Sequence, residues 1–260
     1  MLAVVIPSHS QPDLLRRALA SIGDAPVVVV DDSINGLTPV DGVPFLRTAG
    51  EEGFASAANR GLEYWQHRGM DRVLLVNDDV ELGPGCLEEL SAAWTEMDGA
   101  LAPVLREPDG PVYGIEIGWG GRVFLRRSPG PVKALSGAVL LLRSTERFDS
   151  GYRHGFEDIA LCCELRERGL RVRVVDSADA LHVAGASVPR RSRRAQRRAL
   201  SGHLRWVGGG PRGIYAVALS IAQIVRERGP VDRFFGVAEG IRDHLRIPTT
   251  MQQNSVSSSD

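Results

Sequence analysis

The sequence is poor in lysine: Lys133 is the only one, so nearly all of its positive charge is arginine. It has three cysteines, Cys86, Cys162 and Cys163, an odd number without framework spacing. That excludes a disulfide-stapled secreted fold. Adjacent Cys162 and Cys163 on one helix point in different directions, as small core residues do, and not as zinc ligands or a redox pair. No apolar run approaches the roughly 20 residues needed to cross a bilayer. Residues 2–6 are too short for a signal peptide and meet Pro7 at once. The expected compartment is therefore the cytoplasm, at most peripheral to the inner face of the membrane. A net charge of -1 gives no overall attraction to nucleic acid or to anionic lipid.

What is present is an ordinary globular composition, 43% hydrophobic and 24% charged over 260 residues. That length holds one full domain and a modest extension. Residues 2–6 are continuously apolar, as a buried parallel strand is. Ser10 can cap the helix that follows, with Pro12 in its first turn and Asp13 at its positive end. Residues 27–30 read as a second buried strand ending in Asp31-Asp32-Ser33, and residues 45–47 as a weaker third. A helix is expected over 54–66, a strand over 73–76 ending in Asn77-Asp78-Asp79, and a helix over about 86–97. Glycine and proline punctuate 99–143, which suggests hairpins, with a buried strand at 138–142. A helix over 157–168 ends at Gly169, and a strand over 170–175 leads to His182.

The alternation of strands and helices calls for a mostly parallel, Rossmann-like α/β sheet flanked by helices. Ligands in such sheets sit beyond the carboxyl ends of the strands. Ser8-His9, Asp31-Asp32 and Asp78-Asp79 all fall there. The domain so defined covers residues 1–188. Residues 189–248 form a helical, arginine-rich C-terminal extension, and the serine-rich stretch 249–260 reads as a disordered tail.

Two adjacent carboxylates after a buried strand repel each other and resist desolvation, and a divalent cation offsets that cost. Hard oxygen ligands suit Mg2+ or Mn2+, which also take phosphate oxygens from a substrate. The competing reading of Asn77-Asp78-Asp79 is a solvated turn. His182 can supply an imidazole to the same ion or be a structural histidine. Glu157-Asp158 opens a helix, where the dipole stabilises acids in any case. One of the two carboxylates can also act as a general base toward an acceptor hydroxyl.

The ordered set Val4-Val5-Ile6-Pro7-Ser8-His9, Val29-Val30-Asp31-Asp32-Ser33, Gly53-Phe54-Ala55, Ala58-Asn59-Arg60-Gly61, Leu75-Val76-Asn77-Asp78-Asp79, Ser136-Gly137-Ala138, Phe148-Asp149, Phe156-Glu157-Asp158 and His182 resembles glycosyltransferase family 2 of the GT-A fold. The resemblance is strongest to its bacterial rhamnosyltransferase-like members. It implies an inverting, non-processive transferase that takes a UDP- or dTDP-sugar and an acceptor hydroxyl, in cell-envelope glycan or natural-product glycoside biosynthesis. Pro7, Ser8, His9, Asp31 and Asp32 are then expected around the base and ribose, Asn59 and Gly137 beside the nucleotide-sugar, and Asp78 near ribose or sugar. Asp79 is the expected ligand of Mn2+ or Mg2+, with His182 as a further ligand. Asp158 is the expected base, with Glu157 second or orienting the acceptor. The chain departs from the processive members: Gly202-His203-Leu204-Arg205-Trp206 lacks their glutamine, so Arg205 and Trp206 read as packing or surface residues.

Rival readings are a catalytically inactive sugar-nucleotide-binding partner and a nucleic-acid-binding protein acting through the arginines. A nucleotidyltransferase or a dinucleotide-binding dehydrogenase needs a glycine-rich loop after the first strand, and Ser8-His9-Ser10-Gln11-Pro12 has no glycine. The basic run Arg190–Arg198 is open to three readings. It is a solvated helix face, a lid reaching the donor diphosphate, or a peripheral contact with anionic membrane.

Overall fold

The computed structural model describes residues 2–9, 11–152, 155–183, 192–208, 210–227 and 229–245. The expected Ser10 cap, Arg190, Arg191 and the tail over 249–260 lie outside the described residues. The chain falls into two compact units. The first comprises Met1–Glu116, Phe124–Gly151 and Glu157–Ser187; the second comprises Ile117–Val123, Tyr152–Phe156 and Val188–Asp260. The second unit thus takes two short segments from inside the stretch 1–188 as well as the arginine-rich extension.

In the first unit the expected alternation runs as β1 (Leu2–Ser8), α1 (Pro12–Ile22), β2 (Val27–Asp31), β3 (Phe45–Arg47), α2 (Phe54–Gln66) and β4 (Arg72–Val76). Strands β1, β2 and β4 are almost wholly buried, which is why their sequences are continuously apolar instead of alternating. Helix α2 lies close on β1. A Cβ on Gly61 would come within 2.3 Å of Val5 Cγ1, so only glycine permits this approach. Trp65 Nε1 donates to the carbonyl of Val4 at 2.8 Å.

After β4 come β5 (Val80–Leu82) and α3 (Cys86–Ala93). Helix α3 ends four residues short of the expected Met97. Thr95 donates its N–H and hydroxyl to Asp98, which offers the backbone a competing local arrangement. Strand β6 (Asp98–Glu107) is then ten residues long and buried over its first eight, where glycine and proline had suggested hairpins. Strand β7 (Gly110–Val112) folds back on it. A two-stranded ribbon follows, β8 (Ile115–Ile117) and β9 (Val123–Leu125), joined through a short 3-10 turn at Trp119–Gly121. Strand β10 (Val139–Arg143), α4 (Glu157–Glu167) and β11 (Arg171–His182) complete the unit.

The nine-stranded sheet has the order β3-β2-β1-β4-β10-β6-β11-β5, with β7 beside β6. Strands β10, β5 and β7 run antiparallel to their neighbours, and the remaining ladders are parallel. The α/β sheet is as expected in that six of its nine strands run one way, but its ladders divide evenly, four parallel and four antiparallel. Between β6 and β11 the register slips: Val175 faces Pro103, but the next paired residue is Asp179, opposite Val104. Pro103 has no N–H to donate, so the ladder breaks there and β11 bulges.

The second unit is built on α5 (Arg193–Val207), α6 (Gly210–Arg226) and α7 (Asp232–Leu245). Glycines let α5 and α7 approach: a Cβ on Gly236 would meet the Arg193 carbonyl at 2.5 Å. Leu200, Leu204, Ala216, Ile224 and Val237 form its small core. Arg205 is buried with its guanidinium over the Tyr152 ring, and Trp206 packs against Phe156, so both serve packing.

Candidate functional site

The ladders determine which side chains meet. Strand β1 is parallel to β2 and β4; β10 is antiparallel to both β4 and β6; β11 is parallel to β6. The carboxyl ends of β1, β2, β4, β6 and β11 therefore share one edge. They bring Ser8, Asp31, Asp78-Asp79, Glu107 and His182 there. Because β10 runs the other way, its leading residues Gly137-Ala138 reach the same edge. Asn77 N–H donates to the Ala138 carbonyl at 2.9 Å, and Gly137 N–H donates to Asp158 Oδ2 at 2.8 Å. One backbone bond and one bond from a backbone N–H to the Asp158 carboxylate thus tie the loop carrying Asp78-Asp79 to the start of α4.

Asp78 is buried. Its Oδ2 accepts from the Ser8 hydroxyl at 2.7 Å and from His9 N–H at 3.0 Å. Burial nevertheless holds its carboxyl above the ordinary carboxylate range. Asp79 is raised too, first by burial, with His182 pulling the other way and Asp78 adding to the push. Its Oδ1 is buried and accepts no hydrogen bond among the described residues; it faces His182 Nε2 at 3.6 Å. An orphaned carboxylate oxygen opposite a ring nitrogen is expensive unless a cation joins them.

The other face of the imidazole has a partner not expected from the sequence. Glu107 Oε1 lies 3.1 Å from His182 Nδ1. A carboxylate on Nδ1 directs the Nε2 lone pair outward, the arrangement that orients metal-binding histidines. Glu107 carries no local motif, and it ends a strand whose existence the glycine and proline had concealed. Among the described residues no group of three or more His, Cys, Asp or Glu side chains has metal-site geometry. Asp79 and His182 make a pair. That fits a Mg2+ or Mn2+ site, in which one or two protein ligands are completed by phosphate oxygens and water.

Asp158 stands at the N-terminus of α4. Its Oδ2 accepts from Gly137 N–H and its Oδ1 from Ile159 N–H, each at 2.8 Å. Burial still raises its pKa above the ordinary value, and these two bonds pull it down. The result is an oriented, partly open carboxylate with increased basicity. Glu157 is the more buried of the two.

The remaining expected residues sit differently. Pro7 is buried within β1, in register with Val30. Asp31 accepts from Ser33 N–H and hydroxyl and from Leu37 N–H, and pairs with Arg47 at 3.3 Å. Asp32 accepts from Thr48 Oγ1, Glu52 N–H and Gly53 N–H. Both aspartates organise the loops of residues 32–53. His9 Nδ1 lies 3.2 Å from the Asp32 carbonyl. The Asn59 amide bonds the Phe148 carbonyl and N–H, both at 2.8 Å, and so clamps that loop to α2. Beside it lies a polar surface cleft of about 530 Å³, lined by Glu52, Ser56, Asn59, Arg60, Glu63 and Arg147, without Asp79 or Asp158. Of the basic run, Arg193 pairs with Glu239 and Arg197 with Asp243, so these two hold α5 to α7.

No family model matches the chain. Among curated proteins, an N-acetylglucosaminyl-diphospho-decaprenol L-rhamnosyltransferase in two strains of Mycobacterium tuberculosis is 29% identical over 236 residues, covering 70% of this chain and 76% of the relative. Among solved structures, GalNAc-T7 with UDP, GalNAc and Mn2+ aligns with a TM-score of 0.62 at 13% identity, covering 97% of this chain and 58% of that one. A mannosyltransferase from Pyrobaculum calidifontis in complex with GDP-Man and Mn2+ gives 0.55 at 13% identity, covering 94% of this chain and 87% of that one. S. aureus TarS gives 0.52 at 14%, covering 96% and 73%. At these identities the likeness to the solved structures is one of fold.

Proposed function

We propose that this chain, a glycosyltransferase of GT-A fold similar to the rhamnosyltransferase-like members of family 2, moves a sugar from a UDP- or dTDP-linked donor to an acceptor hydroxyl with inversion. What supports the reading is one juxtaposition. An orphaned Asp79 oxygen faces His182 at 3.6 Å on the sheet edge to which Asp158 is tied through Gly137, Ala138 and Asn77. The curated relatives' name specifies L-rhamnose and a diphospho-decaprenol-linked N-acetylglucosamine. We place a deoxyhexose such as rhamnose first as the sugar and a lipid-linked glycan first as the acceptor.

Asp79 and His182 would hold Mn2+ or Mg2+ together with the donor's diphosphate, and Glu107 would keep the imidazole turned toward it. When bound, the ion neutralises charge on the departing diphosphate, an effect worth several kcal/mol. Asp158 accepts the proton of the acceptor hydroxyl. That oxygen bonds to the anomeric carbon from the face opposite the diphosphate, and the carbon–oxygen bond to the diphosphate breaks. The Gly137 and Ile159 N–H groups fix the carboxylate's direction during the transfer. Its raised pKa brings it closer to the working pH, where a general base is most effective.

Isothermal titration with UDP and Mn2+, alongside a transfer assay, separates the roles. Asp158→Asn should bind UDP–Mn2+ as the unaltered chain does and lose transfer by about 10²–10⁴-fold. Asp79→Ala should lose the metal-dependent part of UDP binding. Near-normal turnover in the first variant, or unchanged metal-dependent affinity in the second, removes the corresponding assignment.

A further inference from the structure

Helix α6 is apolar on two faces. Gly213, Ala216 and Ile224 are buried in the second unit's core. Ile214, Ala218, Ile221, Ala222 and Val225 recur at i, i+4, i+7, i+8 and i+11, which places them on one stripe, and all five are exposed. Ile214 is 74% exposed and Val225 63%. At one end the stripe is extended by Trp119, 82% exposed, which stands edge-on to Tyr215 with centroids 5.0 Å apart. No charged residue falls within the stripe. Arg212 and Arg226 are exposed on the helix flank outside the stripe, one near each end, and the helix carries no acidic residue.

A solvent-facing helix surface is ordinarily polar, so a continuous apolar stripe marks a contact surface. Its dimensions limit the partner. A helix of 17 residues is about 26 Å long and about 10 Å wide. That offers a few hundred Å² at most, against the ~800 Å² per partner of a stable protein interface. Among the described residues no helix is long and apolar enough to cross a membrane. An apolar stripe, an exposed tryptophan beside a tyrosine, arginines on the helix flank and no acid within α6 together match the headgroup boundary of an anionic bilayer. We propose that this face of α6, with Trp119, lies in the surface of an anionic lipid membrane. The contact differs from the arginine run of α5, where Arg193 and Arg197 are engaged by α7. It also stands apart from the transfer reaction, because its test involves no sugar.

The full chain is floated with phosphatidylcholine vesicles with and without phosphatidylglycerol, and its mass is followed by light scattering. The unaltered chain should bind the phosphatidylglycerol vesicles more strongly. The triple variant Trp119→Ser, Ile214→Ser, Val225→Ser should bind at least about tenfold more weakly while still unfolding cooperatively, with a melting temperature lowered by no more than the loss of the Trp119–Tyr215 contact. Arg212→Gln with Arg226→Gln should remove most of the preference for phosphatidylglycerol. Failure of the unaltered chain to bind anionic vesicles at low salt overturns the proposal, as does equal binding by the triple variant. A concentration-dependent dimer that the triple variant abolishes also overturns it, since a second copy would then be the occupant.

Discussion

Glu107→Gln probes the least expected member of the proposed site. The substitution keeps the side chain's size and an oxygen that can accept from His182 Nδ1, now 3.1 Å from Glu107 Oε1, and removes only the negative charge. Losing such a partner typically weakens metal binding by 10–100-fold, and the conservative amide belongs near the lower figure, about tenfold. Metal bound to the folded chain stabilises it by RT ln(1 + [L]/Kd). With Mn2+ at about 100 times Kd in the presence of UDP, that is about 2.7 kcal/mol; after a tenfold loss it is about 1.4 kcal/mol. For a body of this size the difference is about 3–5 °C of melting temperature. The quantity to compare is the increment that Mn2+ adds, since the variant's melting temperature without metal can move for unrelated reasons. The amount of free Mn2+, read by electron paramagnetic resonance, gives Kd independently. His182→Ala should lose at least as much of the increment as Glu107→Gln. If the increment in Glu107→Gln matches the unaltered chain to within about 1 °C, the imidazole is not held for a metal and the argument fails.

Gly61→Ala should destabilise the first unit by about 1–3 kcal/mol, because its methyl would overlap Val5 Cγ1 at 2.3 Å. The roughly 1 kcal/mol that alanine gains in helix propensity does not offset this. Urea unfolding midpoints measure it, and Val5→Ala in the same chain should recover part of the loss; additive losses would refute the contact. In the second unit, burial lowers the pKa values of His203 and His244. The unfolded chain then binds more protons below about pH 6.5, so stability falls as pH drops from there through the folded values and is level above. His203→Phe retains the ring that stacks on Phe156 and should flatten the acid limb of melting temperature against pH; an unchanged limb would show that the proton is taken up elsewhere.

The first half of the fold was legible because its strands are buried on both faces and its helices end in clear signals. Strand β3 and helix α2 fall on the expected residues, 45–47 and 54–66. Strand β6 was not legible. Gly99 and Pro103 read as loop punctuation, yet the strand is central enough to be buried regardless, and β11 absorbs the missing proline N–H by bulging. Tertiary context outweighed local propensity there. The site followed the same division. Asp79 and Asp158 stood out as acids at element ends. Glu107 is invisible without β6, because its significance lies wholly in the parallel ladder that sets it beside His182. Asp31 and Asp32 also accept hydrogen bonds from residues 33–53, a local role that residue type alone does not reveal.

The bulge in β11 has a bearing on how this chain tolerates insertion and deletion. Residues 176–178 stand between two ladder segments, and the segment after them is clamped on both sides: Ala180 and Leu181 pair with β6, and His182 pairs with Val80 of β5. Length gained or lost at the exposed Asp176 and Ser177 is taken up in the bulge, provided Ala178 keeps its place in the core. One residue gained or lost between Asp179 and His182 turns the imidazole to the opposite side of the sheet. The protein thus carries a small slack joint at Asp176 and Ser177, just upstream of the histidine proposed to face the metal, and a change in length there leaves the register of His182 against β5 and β6 intact.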